Sequence, residues 1–135
     1  MLIDKLLRFS ASQSLAGASG TASTDILDLG ADRDMTALGR PLYVVVVLEA
    51  SGGTSPTLQV IAQTADTSGF SSAVALHTGP PLAQASNRGQ TIPIPHTNAR
   101  YLRLSYTQGG TSPTATVSAF ITDSPQAWVA TADGI

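Results

Sequence analysis

Cysteine is absent from the 135-residue chain, and with it go disulfide frameworks, thiolate metal sites and cysteine nucleophiles. Charge is scarce: Asp, Glu, Lys and Arg make up 12% of the residues, about half the roughly 25% of an average soluble domain. Lysine occurs once, at Lys5, and glutamate once, at Glu49. The formal net charge is -2. Gripping a nucleic-acid backbone requires clustered cations that release counterions, so this composition argues against a nucleic-acid partner. Long apolar runs are also missing. The longest, Val44 to Leu48 with Leu42 and Tyr43 before it, is far below the roughly 20 residues of a membrane span. Asp4, Lys5 and Arg8 interrupt the opening segment Met1 to Phe9, leaving no apolar core for a secretory signal. The expectation is a chain made soluble in the cytoplasm, with no membrane partner.

Catalytic patterns are lacking as well. His77 and His96 form neither His-x-His nor His-Glu-x-x-His. No Gly-x-Ser-x-Gly elbow, paired glutamates or phosphate loop ending in Gly-Lys-Ser/Thr is present. Asp25, Asp28, Asp32 and Asp34 form an acidic cluster, but without calcium-loop spacing. Arg33 interrupts it, so it reads as a turn salt-bridged to Arg33 or Arg40. The sequence therefore predicts a protein that is not an enzyme and needs no metal or cofactor.

In place of charge, the chain has 15 Ser, 16 Thr and 19 Ala. Such a surface carries few ions and little rotamer entropy, so it desolvates cheaply and suits permanent contact with another surface. Hydrophobicity repeats every two residues: Leu58, Val60 and Ala62; Leu102, Leu104 and Tyr106; Ala115, Val117, Ala119 and Ile121. Pro41 to Glu49 reads as a central strand covered on both faces. Leu7 to Leu15, Thr24 to Leu29, Val74 to Thr78 and Thr91 to Pro95 are further candidates, the last an edge strand because of Pro93 and Pro95. About eight strands and no convincing helix predict an all-β fold, an antiparallel β-sandwich with jelly-roll or Greek-key topology. One domain is expected over residues 1–122, including an N-terminal segment 1–9, with a tail or arm over residues 123–135.

Two features stand out. Gly52-Gly-Thr-Ser-Pro-Thr57 recurs identically as Gly109-Gly-Thr-Ser-Pro-Thr114. Glycine and proline favour reading both copies as hairpin turns, either a convenient sequence used twice or two loop tips at one end presented to a partner. Trp128, the sole tryptophan, either caps the sandwich or docks on a neighbouring subunit.

Met1-Leu-Ile-Asp-Lys5, Ile26-Leu-Asp-Leu-Gly-Ala-Asp-Arg-Asp34, Gly39-Arg-Pro-Leu-Tyr-Val-Val-Val46, Leu58-Gln-Val60 with Gln63-Thr64, Phe70-Ser-Ser72 and Arg100-Tyr-Leu-Arg-Leu-Ser-Tyr106 form an ordered set. Together they resemble the capsid cement, or decoration, proteins of Bordetella-type tailed bacteriophages. The resemblance implies a jelly-roll structural protein of the virion, bound to the capsid exterior after synthesis in the host cytoplasm. It would join neighbouring major capsid protein subunits, act as a homo-oligomer (dimer or trimer) and stabilise the expanded shell. The tail, Asp123 to Ile135, departs from the pattern.

Candidate interface residues for the capsid or another copy follow. Leu2, Ile3, Arg8 and Phe9 lie in the opening segment, and Asp32, Arg33, Asp34 and Arg40 in the turn after the second strand. Tyr101 and Arg103 share a strand face, and Trp128 lies in the tail. Ten of the sixteen charges precede residue 51, so that half is expected to set register. The alternative is a carbohydrate-binding β-sandwich of a phage fibre or surface protein, with Tyr101 and Trp128 lining a groove.

Overall fold

The computed structural model describes residues 8–17, 20–29, 42–86, 88–94 and 99–122. Among them the fold is all-β and antiparallel, with eight strands: β1 (Arg8–Ala16), β2 (Thr21–Ala22), β3 (Leu27–Asp28), β4 (Leu42–Ala65), β5 (Val74–Thr78), β6 (Leu82–Ala83), β7 (Gly89–Ile94) and β8 (Tyr101–Thr122).

Two of these strands are far longer than expected, β4 at 24 residues and β8 at 22. They pair with each other along nearly their whole lengths, from Tyr43 opposite Thr122 to Ala65 opposite Tyr101. Each runs through both layers of a sandwich. In the first layer, the arm of β4 up to Gly52 lies between β7 and the end of β8, and β1 closes the far edge. In the second, the arm of β4 from Thr57 lies between β5 and β6 on one side and the start of β8 on the other, with β2 and β3 outermost. This connectivity is a jelly roll, one of the two topologies left open by the strand pattern and the one the family resemblance implies.

Inward residues of the two layers meet in one core. Val44, Val46, Leu48, Ala115, Val117, Ala119 and Ile121 come from the first layer, and Leu58, Val60, Ala62, Leu102, Leu104 and Tyr106 from the second. Phe9 and Leu15 of β1 and Leu27 of β3 join them. The Ser10 hydroxyl on β1 lies 2.8 Å from that of Tyr106 on β8, a buried polar contact between the layers. Burial raises the Tyr106 pKa, so its hydroxyl stays protonated and can donate to Ser10, which in turn donates to Gln13.

The repeated hexapeptides are not hairpin turns, which corrects the sequence expectation. Each lies in the middle of a long strand, where the chain crosses between layers, and the two copies pair with each other: Gly52 opposite Thr114, Thr54 opposite Thr111, Thr57 opposite Gly109. The arrangement has a local two-fold. Gly53 and Gly110 both take φ 101°, while Ser55 and Ser112 take φ 49° and 48°. These left-handed residues bend both strands at the same level while the ladder resumes on either side. The backbones approach closely enough that a Cβ on Gly53 would stand 2.6 Å from the Ser112 carbonyl oxygen, and one on Gly110 2.6 Å from that of Ser55. The copies thus lie side by side at one corner, with residues 53–55 and 110–112 exposed.

The two-fold extends into the arms. Val44, Val46 and Leu48 occupy places equivalent to Leu102, Leu104 and Tyr106, and Leu58, Val60 and Ala62 to Ala115, Val117 and Ala119. One residue breaks it. The ladder slips between Leu48 and Ala50, making Glu49 an extra residue with no counterpart in β8.

Candidate functional site

The outward faces of the two layers differ sharply at equivalent positions. In the first layer Val45 lies opposite Phe120, and each is only 5% exposed although neither belongs to the shared core. Their two-fold equivalents in the second layer are Arg103 and Gln63, also directly opposite each other and both half-buried. Apolar residues fill the first position and a guanidinium with an amide the second.

Arg103 is held in place. Its guanidinium carbon sits 4.3 Å from the centre of the Phe70 ring, and Nε donates to Gln63 Oε1 at 2.9 Å. Phe70 is 6% exposed and takes φ 53°, an unusual conformation for an aromatic residue. Its N–H donates to the Thr67 carbonyl at 3.1 Å, closing the turn that presents the ring. Among the described residues, the terminal amino groups of Arg103 make no ion pair or hydrogen bond. Around it the outward residues of β4 and β8 are neutral: Gln59 opposite Thr107, Ile61 opposite Ser105, Ala65 opposite Tyr101.

Tyr101 shares this outward face with Arg103, as expected. Arg100 does not add a second open cation. Its guanidinium makes a bidentate pair with Asp28, at 2.7 and 2.9 Å, and lies 5.1 Å from the Tyr101 ring centre. Sequence reasoning missed this ion pair because its members are 72 residues apart and meet only when β3 docks on β8.

Other candidates are placed as follows. Arg8 is half-buried on β1 opposite Phe120, and its Nε is buried without a hydrogen-bond partner. Phe9 is fully buried in the core, so its side chain reaches no docking surface; it follows outward-facing Arg8 on β1 and points inward. Leu2, Ile3, Asp32, Arg33, Asp34, Arg40, His96 and Trp128 lie outside the described residues. Among the described residues no three His, Cys, Asp or Glu side chains gather as a metal site.

A second polar cluster surrounds the extra residue Glu49. Ser12 Oγ donates to one carboxylate oxygen at 2.8 Å and Ser118 Oγ to the other at 2.5 Å, while the Ser12 N–H donates to Ser118 Oγ. The Ser118 bond, then the Ser12 bond, lowers the Glu49 pKa. Ser12 takes φ 48°, so a kink in β1 meets the bulge in β4.

Compared with known proteins, residues 9–121 match the family model Bbp16. The chain belongs to the Bbp16 family. That is a family of phage proteins, and membership points to a place in the virion. No curated protein matches. Among solved structures, chitosan-binding module 1 of a chitosanase/glucanase from Paenibacillus sp. IK-5 is similar at a TM-score of 0.44 and 15% identity, covering 87% of this chain and 97% of that one.

Proposed function

We propose that this Bbp16-family protein is a cement protein, a non-enzymatic structural component bound to the outside of an icosahedral phage head. It cross-links neighbouring major capsid protein subunits and acts as a homo-oligomer, a dimer or trimer, without nucleic-acid or membrane partners. The family match over residues 9–121 supports a phage structural protein, the starting point of this reading. Two physical features support it. The jelly roll is stapled through its centre by β4 and β8, so load applied to one layer passes to the other along covalent strands as well as through the core. Among the described outward residues of β4 and β8 in the second layer, Arg103 is the one charge, with the Arg100–Asp28 pair at the edge, so few ions are desolvated on contact. Many modest contacts then suffice, because a subunit held at several points on a shell cannot leave by breaking one.

Heads prepared without the protein should bind the purified chain saturably in cosedimentation, and bound heads should resist heating better than bare ones. Absence of binding overturns the proposal. The alternative, a carbohydrate-binding fibre module, rests on Tyr101 and Arg103 sharing one face; retention on a glycan column together with failure to bind heads favours it.

A further inference from the structure

We infer that Arg103, stacked on Phe70 and tethered by Gln63, is a preformed receptor for a single carboxylate of the major capsid subunit, and that the second layer's outward face docks there. The inference rests on the cement reading and names the chemistry of its contact.

Phe70 covers one face of the guanidinium and Gln63 occupies its Nε edge. The two terminal amino groups are left as a fork of parallel donors, the arrangement that binds carboxylate bidentately. Because the side chain is already fixed, little rotamer entropy remains to be lost on binding. Among the described outward residues of β4 and β8 no other charge flanks it: Gln59, Ser105 and Thr107 are neutral, and the neighbouring Arg100 is occupied by Asp28. One cation on a neutral face is complementary to one anion. A nucleic-acid backbone would need several cations. The equivalent place in the first layer points the same way, since there the pair Val45 and Phe120 is already buried, whereas Arg103 and Gln63 are left half-open.

The test titrates the full-length chain onto heads lacking it, with circular dichroism and melting curves confirming that each variant folds. Arg103→Gln should weaken binding about tenfold or more. Arg103→Lys keeps the charge but not the fork, and should fall between wild type and Arg103→Gln. Arg88→Gln, which removes an exposed cation elsewhere, should bind as wild type does. If wild type binds and Arg103→Gln binds within about twofold of it, the receptor is overturned and the cement reading stands. If wild type does not bind heads, the cement reading falls and takes the proposed partner with it. If Arg103→Gln binds heads normally but loses self-association by light scattering, the carboxylate comes from a second copy and the inference is wrong.

Discussion

The two layers of the sandwich are built alike and finished differently. Both hang from β4 and β8, both place three core residues at matching heights on each arm, and both start from the same hexapeptide bent by the same glycine and serine conformations. Outward, the likeness ends. Val45 and Phe120 are buried on one layer, while Arg103 and Gln63 are half-open on the other. The inward face is constrained by the shared core and keeps its symmetry. The outward faces are free to diverge, and what each one carries reports how it is used.

That comparison can be broken at its largest expected effect by changing the charge at the equivalent outward positions. Val45→Asp buries an unpaired carboxylate and should cost about 4 kcal/mol in denaturant unfolding, whereas Arg103→Gln should cost less than about 1 kcal/mol. Equal costs would mean that the faces are covered alike. The corner offers a test of the symmetry itself. Gly53→Ala and Gly110→Ala each force a Cβ onto a backbone carbonyl at positive φ, and each should cost about 3 kcal/mol. Values differing several-fold would show that one copy bears the bend. Tyr106→Phe removes the hydroxyl contact that reaches across the layers to Ser10 and should cost about 1 kcal/mol.

The smallest effect concerns Glu49, the residue that breaks the two-fold. Its serine bonds favour the carboxylate in the folded state, so its contribution is present above the ordinary pKa of 4.5 and is lost as pH falls through the lowered folded value. The group is exposed and the gain is screened. Glu49→Gln should therefore narrow slightly the difference in urea midpoint between pH 6 and pH 3; an unchanged difference would show that the cluster adds nothing.

Much of this fold could be read from period-two alternation. The inward sets on β4 and β8 were legible because one buried face dictates one register, and β7 was legible as an edge because Pro93 cannot donate to a neighbour. The corner was not. Gly-Gly-Thr-Ser-Pro-Thr has the composition of a turn, and composition alone does not say whether the chain reverses or bends and continues. That was decided by the pairing of the two copies, a contact between residues far apart in sequence. The site was half legible. Tyr101 and Arg103 were placed on one face by their spacing, but Phe70 and Gln63, which fix the guanidinium, come from a loop and a strand that alternation does not link to β8. Phe9 was misplaced as a surface residue because it was read as part of an opening docking segment, whereas it lies within β1 and its side chain joins the core.

The most direct measurement is electron cryomicroscopy of phage heads saturated with this chain. The account predicts jelly-roll density on the outer surface, with the second layer's outward face against a major capsid subunit and an Asp or Glu side chain at Arg103. Density confined to the inner surface or to a tail fibre, or none on the head at all, would contradict it.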